Sequence, residues 1–285
     1  GGGHWTSPGL PSDAAVQLRG AAGLALNGGS VDHSARAGIG MTGLTQTLTV
    51  NGASISDNDS DGVYAGSGSG CRNAVSVTGT TVSNNGGNGI QMYCLWAATV
   101  TGNAFEGNGS MALQLSWPVS PVVSNNVFTN NFDVASVYVS GGADFSGNSG
   151  TANARNSFRV IGTLSAPVVF PNLPGLVYVA DYTANAPVTF APGVVVKLNT
   201  GDAVYLNATA VSQGTVELPV VFTSYKDDSY GGDTNGDGGA SQPAPGDWYF
   251  IQITDASALL NNTHVRYGGG HWTSPGLPSD AAVQL

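Results

Sequence analysis

Apolar and polar positions recur along this chain at two nested periods. In the shorter one, over residues 48–148, an apolar residue is followed three positions later by Asn, at Ile55/Asn58, Val82/Asn85, Phe105/Asn108, Phe128/Asn131 and Phe145/Asn148. These asparagines lie 27, 23, 23 and 17 residues apart, and Val50, Val77, Val100 and Val123 each stand eight residues before one of the first four. Val63, Ile90 and Leu113 follow five residues after three of them. Each period thus predicts about three short strands separated by Gly, Asn and Ser turns.

Three short strands per 23-residue period is the layout of one coil of a parallel β-helix. Stacked coils lie about 4.8 Å apart, so Asn58, Asn85, Asn108, Asn131 and Asn148 are expected to hydrogen-bond as a ladder. Each would sit at a sharp turn in the left-handed conformation that Asn tolerates. Residues 160–223 read as further strands, among them APVVF, LVYVA, APVTF, GVVVKL, AVYL and LPVVF. Their apolar positions should line the interior, with Lys197 facing solvent. A polar insertion, residues 226–247, precedes Tyr249-Phe250-Ile251 and the strand-like Thr263-His264-Val265.

The longer period is an identity. Residues 1–18, GGGHWTSPGLPSDAAVQL, return unchanged as residues 268–285, an offset of 268 − 1 = 267. Either the chain is one unit of a tandem array with the start of the next, or the segment was duplicated artificially. The apolar run Ala-Ala-Val-Gln-Leu at the end favours the array. We therefore expect one repeat unit over residues 1–267, with Asn-ladder coils at about 20–160 and Val-rich coils at about 161–267, and the next unit beginning at 268–285. About a dozen coils, uncapped at both ends, would give about 55 Å per unit at the sheet spacing. Units would stack on one another end to end.

Composition narrows the class without changing that picture. With 42 Gly, few charges (9%) and 41% hydrophobic residues, the chain is neither helical nor disordered but all-β. A net charge of −10 with eight Lys plus Arg argues against a nucleic-acid partner. No stretch is long and apolar enough to insert in a membrane.

The segments GVVVKL, LPVVFTSYKDDSYGGDTNGDG, GDWYFIQI and THVRYGGG resemble the right-handed parallel β-helix repeats of large secreted or surface-attached bacterial proteins. The Asn-rich coils are similar, more loosely, to pectate-lyase-like solenoids. The resemblance implies a right-handed parallel β-helix at an extracellular or cell-surface location. It leaves function open among structural fibres, carbohydrate-binding adhesins and polysaccharide lyases.

Five constellations could carry chemistry. In DTNGDG, Asp233, Asn235 and Asp237 alternate before Gly238, with Asp227, Asp228 and Asp247 in the same loop, an oxygen-rich pattern suited to structural Ca²⁺. Position 244 is Ala, so the loop is no EF-hand. Asp57, Asp59 and Asp61 before Gly62 form a weaker second set. Cys71 and Cys94 each lie six residues before a coil valine and should stack on adjacent coils as a disulfide. Trp5, Trp96 and Trp117 could stack on glycans. Asn-X-Ser/Thr at Asn58, Asn108, Asn207 and Asn261 permits glycosylation. No His or Arg has a partnered catalytic motif, so no enzyme activity is expected.

Overall fold

The computed structural model describes residues 14–41, 43, 45–65, 72–93, 95–270 and 281–285. All of the described elements are strands, and every registered pair between them is parallel. None is a helix long and apolar enough to cross a membrane. The chain forms two compact units: residues 1–138 with 147–154, and residues 139–146 with 155–285.

The first unit has three sheets. One runs through Ala14–Leu18, Ala37–Met41, Val63–Ala65, Ile90–Met92, Met111–Ser116 and Asp133–Val139. A second takes Gly23–Asn27, Thr47–Asn51, Asn73–Thr78, Leu95–Thr101 and Val122–Ser124, and a third runs from Ser30–Asp32 to Ser149–Thr151. Neighbours within each sheet are successive coils, because each coil contributes one strand to each sheet. The five-stranded sheet here and a four-stranded sheet in the second unit mark about nine full turns. That is near the expected dozen, since the loop at residues 226–247 uses a coil's worth of sequence without adding one.

The core is a set of in-register columns. Val50, Val77, Val100 and Val123 stack as register partners and all are fully buried, as are Val63, Ile90 and Leu113. A third column runs Val31, Ile55, Val82, Phe105, Phe128, and its two Phe rings stack at 5.1 Å and 12°. In the second unit Phe170 stacks on Phe190 at 5.2 Å, and Phe145 meets Phe158 edge-on at 5.2 Å.

The Asn ladder exists, with two corrections. Nδ2 of Asn58 donates to Oδ1 of Asn85 (2.8 Å), Asn85 to Asn108 (2.9 Å), Asn108 to Asn131 (2.8 Å) and Asn131 to Asn153 (3.1 Å). The fifth rung is therefore Asn153 and not Asn148. Asn148 ends a second ladder, accepting from Asn126 (3.0 Å), which accepts from Asn103 (2.9 Å). The apolar residue three before Asn153 is replaced by Gly150, the register partner of Phe128, while Phe145 packs in the second unit and only mimics the pattern. The second correction concerns conformation. The left-handed residue is the one preceding each rung: Asp57, Asn84, Gly107, Asn130 and Ala152 have φ between 53° and 64°.

The inner rungs Asn85, Asn108 and Asn131 are fully satisfied. Oδ1 of Asn108 accepts Nδ2 and the backbone N–H of Asn85, and Nδ2 of Asn108 donates to Asn131 and to the Val82 carbonyl. Asn58 and Asn108 are each 1% exposed, which removes both as glycosylation acceptors. Replacing Asn108 by Ala strips two buried Asn85 donors of their acceptor, and we expect a loss of about 3 kcal/mol in denaturant melts. Adding Asn85→Ala should cost less than the sum of the single changes. Ala152, at φ 56°, gives the opposite test: Ala152→Gly should stabilise by about 1 kcal/mol.

Candidate cation site in an acidic loop

In the second unit the strand Val177–Ala184 is continuous, but its neighbour on the next coil is broken into Val195–Leu198 and Val204–Leu206. One coil further the break between Val220–Ser224 and Ile251–Ile253 has grown into the acidic loop. The loop folds back over its own sheet. Tyr225 Oη donates to the Thr234 carbonyl at 3.1 Å, and Thr234 is fully buried.

Lys197 does not face solvent. It lies in the outward column Val179, Lys197, Thr223, as alternation requires, but the loop covers that column and leaves Lys197 0% exposed. Its Nζ donates to the Gly232 carbonyl at 2.7 Å. Burial pushes its ammonium down to about 8, against the upward pull of Asp228, Asp227 and Asp233.

Of the six predicted loop ligands, Asp228, Asp233 and Asp237 converge, with one oxygen of each within 4.8 Å of the others. Asp233 is pinned by the N–H groups of Gly236 (2.8 Å), Asp237 (3.2 Å) and Gly238 (2.8 Å), and Asp237 by those of Gly239 (2.8 Å), Ala240 (2.9 Å) and Ser241 (2.9 Å). Asp228 Oδ1 is buried without a hydrogen-bond partner, and burial, followed by Asp233, raises its carboxyl. The other three are committed elsewhere. Asp227 accepts from Thr223, Ser229 and Arg266, Asp247 from Ser224, Lys226 and the Ala244 N–H, and the Asn235 amide donates to Asp237 and Ser241.

The weaker set is not brought together: among the described residues the Asp57, Asp59 and Asp61 carboxylates form no cluster. Asp61 is used within the fold, its Oδ1 accepting the Asn88 N–H at 2.7 Å and Nδ2 at 3.2 Å. The disulfide expectation at Cys71 and Cys94 lies outside the described residues, as does Trp5. Trp96 and Trp117 are 54% and 52% exposed. Arg72 lies 5.1 Å from the Trp96 ring, and Trp117 meets Tyr138 edge-on at 5.5 Å. The sequence shows no partnered motif at Arg159; in the structure its Nε is buried without a hydrogen bond and its charge acts on Asp181. The covering of Lys197 was invisible too, since it depends on where the loop lands.

A family model for the right-handed β-helix region matches residues 37–170. No curated protein and no solved structure matches the chain.

The Lys197 assignment has a measurable sign. Between about 8 and the ordinary 10.5 the unfolded chain holds a proton that the folded chain has released, so stability rises with pH through that window. Denaturant melts from neutral pH to about 9.5 should show that rise, and Lys197→Met should abolish it. Asp228→Asn should move the Lys197 midpoint, read by NMR, further down.

Proposed function

Taking as premise that the chain carries a right-handed parallel β-helix, we propose that it is a structural subunit of an extracellular filament or stalk built from tandem, end-to-end units. One observation carries this reading. The repeated segment contributes a strand in both copies, Ala14–Leu18 in the first and Val283–Gln284 in the second. A segment that merely recurred would not have to repeat its structural role. Electron microscopy of the secreted native protein should show filaments with an axial repeat, and compact particles without one would end the proposal.

Within that reading the acidic loop is a clamp for a divalent cation, with Ca²⁺ as the candidate. Asp228, Asp233 and Asp237 would supply oxygens, Asp228 Oδ1 being the atom left without a hydrogen bond. Added Ca²⁺ should raise the melting temperature, protect residues 226–247 from proteases and lower the Lys197 midpoint. Asp233→Ala with Asp237→Ala should cancel all three effects. If Ca²⁺ leaves the wild-type chain unchanged, the loop is no divalent-cation clamp.

The exposure of Trp96 and Trp117 favours a second reading, a glycan-binding adhesin on the same scaffold. Glycan-array binding that disappears in Trp96→Ala and Trp117→Ala would establish it. Release of unsaturated sugar from acidic glycans, followed by absorbance, would instead place the chain among the lyases.

A further inference from the structure

The strand Val283–Gln284 lies in residues 281–285, which have the same sequence as Ala14–Leu18 and are seen from the other side. In the first copy Val16, Gln17 and Leu18 pair with Ile39, Gly40 and Met41 of the coil that follows them. In the second copy Val283 and Gln284 pair with Ile251 and Gln252 of the coil that precedes them, and the Ile251 N–H donates to the Ala282 carbonyl at 2.9 Å. Val283 is Val16 of the repeat and Gln284 is Gln17. One strand therefore has two defined edges and two defined registers, each recorded once.

Three further observations bear on what occupies the second edge. Gln284 is 5% exposed and its Oε1 has no hydrogen-bond partner. Its counterpart Gln17 has one: Arg19 donates to Gln17 Oε1 from Nε at 3.3 Å and from Nη2 at 2.8 Å. In the tandem reading the residue two positions after Gln284 is the equivalent of Arg19. Second, the surface beside Val283 is mostly apolar, formed by Ile253, Ala256, Ala258, Leu260, Val283 and Leu285 with Thr254 and Asp255. Leu259, which opens the strand Leu259–Asn261, is 52% exposed. The third concerns the first described coil. Leu24 and Leu26 are half-buried, whereas their register partners Leu48 and Val50 are 1% and 0% exposed.

We propose that residues 281–285 form a two-sided seam that joins one copy of the repeat to the next. One edge holds Ile251 and Gln252 of the preceding coil. The other receives Ile39, Gly40 and Met41 of the following copy, whose Arg19 donates to Gln284 Oε1. This rests on the tandem reading above and specifies its junction. The seam also accounts for the start of the repeat. The Gly269 N–H donates to the Tyr249 carbonyl and the Gly270 N–H to the Trp248 carbonyl, each at 2.8 Å. A Cβ on Gly268 would lie 2.7 Å from the Trp248 ring, and one on Gly270 would lie 2.8 Å from the Trp248 carbonyl oxygen. Trp248, fully buried with Nε1 donating to the Arg266 carbonyl at 2.9 Å, is the seat into which only glycines fit.

The test compares the 285-residue chain with a chain of two complete repeats followed by the same eighteen residues. Amide hydrogen exchange is read at Val283 and Gln284 of the first seam. The seam predicts that the Val283 amide, which faces the new edge, gains protection in the longer chain, whereas the Gln284 amide, which faces Ile251, is protected in both chains. Arg19→Ala in the second copy should reduce that gain, while the same change in the first copy should not. Unchanged Val283 protection in the longer chain, or equal effects of the two Arg19 changes, overturns the seam. A seam that forms in a protein that builds no extracellular filament would leave this inference standing and remove only the filament.

Discussion

A carboxamide has two acceptor lone pairs and two donor hydrogens, and in this fold all four are used only when a coil lies on each side. Asn108 shows the requirement in full, bonded to Asn85 below it, to Asn131 above it and to a main-chain carbonyl. Burying such a group is costly unless every partner is in place. The ladder therefore ties coils together more strictly than apolar stacking does, because Val77 or Val100 could slide slightly without penalty. A shift of register would leave several buried amides unpaired at once. The preceding left-handed residue serves this requirement by turning the chain so that the amide points along the stack and not into solvent.

Much of this was legible in the sequence, for a physical reason. Parallel in-register stacking writes the same demand into every coil, so Val50 to Val123 and Asn58 to Asn131 announce themselves by spacing alone. The reading failed where a demand was met by a different residue type. Gly150 stands where the column had carried Phe, and the interval of 17 residues to Asn148 was the signal that the alignment had moved to another column. The left-handed positions were misassigned by one residue because Asn-Asn pairs such as Asn84-Asn85 and Asn130-Asn131 offer two candidates for one turn.

The loop illustrates what a one-dimensional pattern omits. Alternation placed Lys197 outward, and outward it is, but the chain returns 35 residues later to cover it. The acidic residues around DTNGDG likewise divide by neighbours that spacing does not reveal. Asp227 and Asp247 sit beside Arg266 and Lys226 and are neutralised there, whereas Asp228, Asp233 and Asp237 face one another. The insertion enters where the previous coil's strand has already split. Lengthening a turn at such a break leaves the paired halves on either side intact, so the fold accepts new chemistry at that point with little disturbance to its core.

The ladder also has a direction. Every rung from Asn58 to Asn131 donates Nδ2 toward the following coil and accepts from the preceding one. The carboxamide dipoles thus align in a single file, as peptide dipoles do in a helix. A stack of this kind is a vector: two of them meeting head to head along the ladder would set like ends against each other, donor against donor or acceptor against acceptor. Growth by such coils has an arrow, and that arrow is drawn by an uncharged side chain.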